Sequence, residues 1–156
     1  MLATGRRMKG VGEIMAGAGE FYTQRGYEAR DGGLTAAMED YLEMICRIVR
    51  GGGEVRVREL AVRLHVKPSS ASKMMSHLDA LGYVRAERYG LIHLTEDGRA
   101  VGDYLLYRHE VTERFLRTLN GSRDETEQAE RLEHFLDRRT VANLDRLERT
   151  LRGRGI

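Results

Sequence analysis

KPSSASKMMSHLDALGYVRAERYGLIHLT, Lys67 to Thr95, changes its periodicity half-way. Up to Leu81 the apolar residues recur with helical spacing: Ala71, Met75, Leu78 and Leu81 point inward, and Ser69, Ser72, Lys73 and Ser76 stay outside. Pro68, the only proline of the chain, suits the first turn of this helix, and the serines beside it can cap it. Gly82 stops the helix. From there GYVRAERYGLIHLT alternates apolar and polar on both sides of Tyr89-Gly90, the pattern of a two-stranded hairpin with a tight turn.

The segments before it complete a motif. Thr35 caps a helix whose apolar positions run from Met38 to Val49 and which Gly51-Gly52-Gly53 ends. Val55 and Val57 read as a short strand or turn, and Glu59 to Leu64 as a short helix. Helix, short helix, turn, outward-polar helix and hairpin is the order of a winged helix-turn-helix. The second helix of that motif enters the DNA major groove with its N-terminal residues near base edges.

Charge agrees. Between Arg47 and Arg88 nine Lys/Arg stand against four acids, although the whole chain of 156 residues nets only +2. A locally basic segment in a near-neutral chain points to nucleic acid. Lys67 and Lys73 reach phosphates or guanine edges, Ser69 and Ser70 give the helix a small polar face, and Arg56, Arg58 and Arg88 suit phosphates. The competing reading is a winged module that binds protein. The single cysteine, Cys46, excludes an internal disulfide framework and fits a reducing, cytoplasmic setting. No apolar run is long enough to span a membrane, and MLATGRRMKG has no signal-peptide core.

After Thr95 the chain reads as helices only: Glu96 to Leu119, Glu125 to Arg138 and Thr140 to Leu151. Their apolar stripes are expected to pack together and against a second subunit. The fold expected is therefore mainly α, a winged helix-turn-helix DNA-binding domain followed by an all-helical dimerisation domain. The divisions are a flexible Gly-rich arm at 1–33, the DNA-binding domain at 34–97 and the helical domain at 98–156.

AERLEHFL, Ala129 to Leu136, is the stretch with chemistry. Wound as one helix it places Glu130, Glu133 and His134 on one face and Leu132, Phe135 and Leu136 on the other. Asp40 and Glu43 share a face of the first helix, and His109 lies in YRHE with Glu113 one turn later. Each group has an ordinary reading as well: charges at a helix start, a core histidine, or an i,i+4 pair of Glu113 with Arg117.

LTAAMEDYLEMI, KPSSASKMM, GYVRAERYGLIHLTEDG, YRHE and ERLEHFL, in that order, resemble the diphtheria toxin repressor family of metal-dependent transcription regulators, and its manganese-responsive branch in particular. The resemblance covers about residues 34 to 150. It implies metal ligands at Asp40, Glu43, His109, Glu130, Glu133 and His134, two divalent ions per subunit, a homodimer on operator DNA and no organic cofactor. Four carboxylates and two imidazoles, with no sulfur donor, suit Mn²⁺, while the affinity order lets Fe²⁺, Co²⁺, Zn²⁺ or Cd²⁺ bind in vitro. The iron-responsive members carry Met and Cys where this chain has Asp40 and Glu130. The arm is longer than in the best-known members, LTAAMEDY lacks the Pro-Ser common after Thr, and no SH3-like third domain is expected. The alternatives are an iron-responsive member of the family, a winged-helix regulator of an organic ligand, and a di-metal hydrolase or peroxidase, an enzyme class for which no further nucleophile or base is visible.

Overall fold

A computed structural model describes residues 33–87 and 90–154. The expected arm up to Gly32, the turn residue Tyr89 and the phosphate-contact candidate Arg88 lie outside the described residues.

Helix α1 (Ala36–Arg50) starts where Thr35 accepts the Met38 N–H at 3.3 Å. It buries Tyr41, Leu42, Ile45, Cys46 and Ile48. Strand β1 (Val55–Arg56) leads directly into α2 (Val57–Arg63). The turn after α2 is closed by His65 in the left-handed region, φ 53°, with the Val66 N–H on the Ala61 carbonyl at 2.9 Å and the His65 N–H on the Val62 carbonyl at 3.2 Å, a left-handed helix C-terminus. Helix α3 (Pro68–Ala80) has its proline in the first turn and buries Ala71, Met75 and Leu78. Leu81 corrects the expectation of a fourth inward residue. As the C-cap it keeps helical geometry, φ −81°, ψ −8°, with its N–H on the His77 carbonyl at 3.0 Å, but it lies at the rim of the apolar stripe and is 55% exposed.

Strands β2 (Val84–Ala86) and β3 (Leu91–Leu94) pair antiparallel, Val84 opposite Leu94 and Ala86 opposite Ile92. The wing is larger than the expected two-stranded hairpin. β1 adds to the free edge of β3, Val55 opposite Ile92, giving a three-stranded sheet of order β1-β3-β2. The short strand expected at Val55 is present, whereas Val57 already belongs to α2; the pairing of β1 with β3 was not expected.

Helix α4 (Glu96–Asn120) is capped by Thr95, whose hydroxyl accepts the Gly98 N–H at 3.0 Å, and is closed by Gly121 in the left-handed region, φ 62°. It runs along α1, and Leu105 joins the core that α1, α2, α3 and the wing build. From Leu34 onward the chain forms one compact unit.

Beyond α4 the single helix expected from Glu125 to Arg138 is broken in two. Helix α5 (Thr126–Leu132) passes into a 3-10 turn, Glu133–Phe135, and Leu136 is extended at φ −92°, ψ 122°. The cause is Asp137. Its carboxylate accepts the Thr140 N–H at 2.6 Å and starts helix α6 (Arg138–Gly153), and an N-cap residue cannot itself be helical. The break reverses the expected amphipathic arrangement: Ala129 and Glu133 are buried, whereas Phe135 is 61% exposed and Leu132 also faces out. Helix α6 packs on α4 through charges as much as through Val141. Arg114 donates to Asp145 and, at 2.8 Å, to the buried Glu148.

Candidate metal centre and nucleic-acid interface

The apolar positions of α1 face the winged core, which turns Glu39, Asp40 and Glu43 toward α4 and the turn after α5. Glu43 is buried there with His109 of α4 and Glu133 of the 3-10 turn. One ligand atom from each of these three lies within 4.8 Å of the others. His109 Nδ1 is 2.9 Å from Glu133 Oε2 and 3.5 Å from Glu130 Oε1, and its Nε2 is 3.9 Å from Glu113. Beside this cluster His134 stands between two carboxylates of α1, with Nε2 3.0 Å from Asp40 Oδ1 and Nδ1 2.8 Å from Glu39 Oε2. All six residues singled out in the sequence therefore lie in two adjoining groups, Glu43–His109–Glu133 with Glu130 at its rim, and Asp40–His134.

Two further side chains belong to the place and were missed. Glu39, an acid in the first turn of α1, is not among the residues that the sequence reading singles out. Arg108, which precedes His109, is buried with its Nη2 2.7 Å from Glu39 Oε2, 3.2 Å from His134 Nδ1 and 3.8 Å from Glu133 Oε1. The available signal was spacing: Glu39 is four residues before Glu43, so it shares that face at least as closely as Asp40.

The electrostatics are those of anions crowded out of water. Burial pushes the Glu43 carboxyl up and the nearby Glu133 adds to it, although Arg47 donates to Glu43 at 3.0 Å. The hydrogen bond to Glu133 raises His109. Asp40 and then Glu39 push His134 up to about 10. Burial works to raise Glu39, but His134 and Arg108 outweigh it and hold it below the ordinary carboxylate range.

The donor set fits a divalent cation. Glu133 Oε1 is buried with no hydrogen-bond partner among the described residues, a costly arrangement unless a cation or donor completes it. Glu43, His109 and Glu133 are oxygen and nitrogen donors of the hard-to-borderline kind. The one thiol, Cys46, is engaged elsewhere, 3.3 Å from Asp103 Oδ1.

On the other side of α1, Lys67, Ser69, Ser70 and Lys73 are all exposed at the start of α3, and Arg56 and Arg58 are exposed at the start of α2. Among the described residues Arg58, Lys67 and Lys73 are in no salt bridge, whereas Arg56 lies 3.2 Å from Glu54.

Comparison with known proteins accounts for both halves. Residues 33–92 match the family model for the iron-dependent repressor N-terminal DNA-binding domain, and residues 95–152 match the model for the iron-dependent repressor metal-binding and dimerisation domain. The HTH-type transcriptional regulator MntR of Geobacillus kaustophilus is 41% identical over 103 residues, 65% of this chain and 73% of that one. The chain belongs to the iron-dependent repressor family. Iron-dependent repressors are metal-dependent DNA-binding transcription regulators, not enzymes, which removes the di-metal hydrolase or peroxidase alternative. Among solved family structures, a manganese-dependent transcriptional repressor in complex with manganese is 29% identical with a TM-score of 0.61, over 71% of this chain and 52% of that one. The manganese regulator SloR is 25% identical with a TM-score of 0.63, over 70% of this chain and 52% of that one. The chain thus spans about half the length of these two solved structures. Among the described residues no helix is long and apolar enough to cross a membrane.

Proposed function

We propose that this chain is a Mn²⁺-activated repressor of metal-uptake genes that binds two ions per subunit through Asp40, Glu43, His109, Glu130, Glu133 and His134, and binds operator DNA as a homodimer. The observation that carries the reading is the buried Glu43–His109–Glu133 group, which joins α1 of the DNA-binding half to α4 and the 3-10 turn of the helical half, with Glu133 Oε1 lacking a hydrogen-bond partner among the described residues and Arg108 no nearer than 3.8 Å. The printed names of the relatives, manganese regulators among them, support the metal.

A bound divalent cation would add positive charge where Glu43 and Glu133 crowd together, beyond what Arg47 and Arg108 supply. Glu43 and Asp40, fixed to α1, then hold the DNA-binding half against His109, Glu133 and His134. Fixing α1 fixes α3, because both contribute to one core through Leu42, Ile45, Met75 and Leu78. In a dimer this narrows the range of separations between two α3 helices toward the spacing of successive major grooves, about one DNA turn. Coupling of this kind is worth about 1–3 kcal/mol per effector, and operator DNA must tighten metal binding by the same amount. On the DNA, Lys67, Ser69, Ser70 and Lys73 serve the groove and Arg56, Arg58 and Arg88 the phosphates. The dimer surface is supported by the exposed Leu119, Leu132, Phe135 and Leu147, all in the half that matches the dimerisation domain.

The test is calorimetric titration of Mn²⁺ into chelator-treated protein beside Glu133→Ala, followed by selection of DNA ligands with and without Mn²⁺. Near two ions per chain, fewer in the variant, and Mn²⁺-dependent DNA capture are expected. Absence of Mn²⁺ binding by the wild type, or equal DNA capture in chelator, overturns the reading.

A further inference from the structure

We propose that Glu39 is the positioning residue of the metal centre, held in place by Arg108: it fixes the His134 ring so that Nδ1 is engaged and Nε2 is left for the ion. The inference rests on the metal reading above. It concerns two residues that are not among the proposed donors.

Three distances carry it. Glu39 Oε2 is 2.8 Å from His134 Nδ1 and 2.7 Å from Arg108 Nη2, while Arg108 Nη2 and His134 Nδ1 are 3.2 Å apart. The two shorter contacts converge on one oxygen, so Glu39 is the shared acceptor of two donors. A carboxylate oxygen already taking two donors is poorly placed to serve as a ligand. The other edge of the ring is different. His134 Nε2 faces Asp40, whose side chain is 43% exposed and has His134 as its one ion-pair partner among the described residues. Adjacent acids of α1 thus take the two nitrogens separately. A histidine ligand whose second nitrogen donates to a carboxylate is oriented, held in one tautomer and made more basic.

Arg108 makes the arrangement rigid. Its side chain is 4% exposed and enters from α4, while Glu39 comes from α1 and His134 from the 3-10 turn. Three elements therefore meet at Glu39 Oε2, so the orientation of His134 depends on α1 and α4 being in register. An ion pair serving only to hold α1 on α4 would show the same Glu39–Arg108 contact, but it would give Glu39 no dependence on His134.

A double-mutant cycle separates the two. Mn²⁺ affinity is measured by electron paramagnetic resonance of free Mn²⁺ in wild type, Glu39→Ala, His134→Ala and the double variant, with circular dichroism verifying the fold. Glu39→Ala should weaken the weakest ion 10- to 100-fold, and should change nothing further in the His134→Ala background. Glu39→Gln, which keeps an acceptor for Nδ1, should recover part of the loss, and it carries the test if Glu39→Ala does not fold. In the Cd²⁺-loaded wild type the His134 Nδ1–H should appear as a protected proton resonance that Glu39→Ala loses. Arg108→Met should weaken binding less than Glu39→Ala and add nothing to it. An affinity within twofold of wild type for Glu39→Ala overturns the inference, as does an equal loss in the His134→Ala background, which would make Glu39 a ligand or a plain structural pair. If His134→Ala itself binds as wild type does, the metal reading of His134 fails first and the inference with it.

Discussion

Gly98→Ala tests the packing of the two halves, because helix propensity and sterics predict opposite signs. Gly98 sits in the first turn of α4, with its N–H on the Thr95 hydroxyl at 3.0 Å. A Cβ placed there meets the Tyr83 carbonyl oxygen at 1.8 Å, and must retreat by about 1.2 Å to reach the 3.0 Å below which such contacts are essentially never seen. Tyr83 cannot yield cheaply. Its carbonyl accepts the Thr95 N–H at 3.1 Å and its own N–H donates to Leu78 at 3.0 Å. Propensity favours alanine by about 1 kcal/mol. Overpacking costs about 1–3 kcal/mol, and a lost backbone hydrogen bond about 1 kcal/mol more. The clash wins by about 1–3 kcal/mol, a fall in Tm of roughly 4–12 °C for a unit of this size. Two glycines of the same protein calibrate the result. Gly102 would place its Cβ 3.0 Å from Cys46 Cβ and 3.1 Å from its Sγ, a contact that a shift of a few tenths of an ångström between α1 and α4 relieves, whereas Gly153 would meet nothing within 4 Å. Urea titration followed by circular dichroism should rank Gly153→Ala at or above wild type, then Gly102→Ala, then Gly98→Ala. A Gly98→Ala protein as stable as wild type would refute the close approach of α4 to the wing.

The remaining expectations concern charge. Arg114→Met strands Glu148, which is then left with Arg152 at 2.7 Å, and should cost about 3 kcal/mol in urea unfolding, most of it recovered when Glu148→Met is added. Burial works to raise both Asp145 and Glu148, but their arginine partners (Arg149 and Arg114 for Asp145, Arg114 and Arg152 for Glu148) hold both below the ordinary carboxylate range. Their contribution is therefore present above the unfolded carboxylate values and lost as pH falls through the folded ones. The gap between wild type and Arg114→Met should close below about pH 4. Lys73→Ala should weaken operator binding across sequences and lower the salt slope of log K by about 1, read by fluorescence anisotropy at several salt concentrations; an unchanged slope would remove Lys73 from the phosphate contacts. Burial, with Asp103 beside it, raises the Cys46 thiol to about 11, so a disulfide reagent at pH 8 should label it only on unfolding.

The winged module was legible because its signals are local: Thr35, Pro68 and the glycines mark ends, and periods of helix and strand alternate between them. What escaped was non-local. The short strand at Val55 was legible but not its place on the edge of β3, and Leu81 keeps helical geometry but the core does not reach it. Glu133 and His134 were found by their spacing, but not the 3-10 turn that buries one and half-buries the other, since Asp137 resembles any acid in an amphipathic helix. Arg108 and Glu39 escaped because an arginine and an acid on helices are ordinary until the fold brings them within 2.7 Å. Gly98 and Gly102 of α4 are the places where Tyr83 and Cys46 approach it.

Helix α1 carries the winged core on one side, through Leu42, Ile45 and Ile48, and the acidic residues on the other, through Glu39, Asp40 and Glu43. For genetics this means that one short exon-like stretch encodes two kinds of allele, interleaved residue by residue. Lesions at 42, 45 or 48 abolish the protein and so behave as simple nulls. If Asp40 and Glu43 hold the ion as proposed, lesions at 40 or 43 should leave a folded chain that no longer answers the effector, and in a dimer such a chain would pair with a normal one. A screen for dominant derepression should therefore return substitutions at every third or fourth codon of this helix, and recessive ones from the codons between.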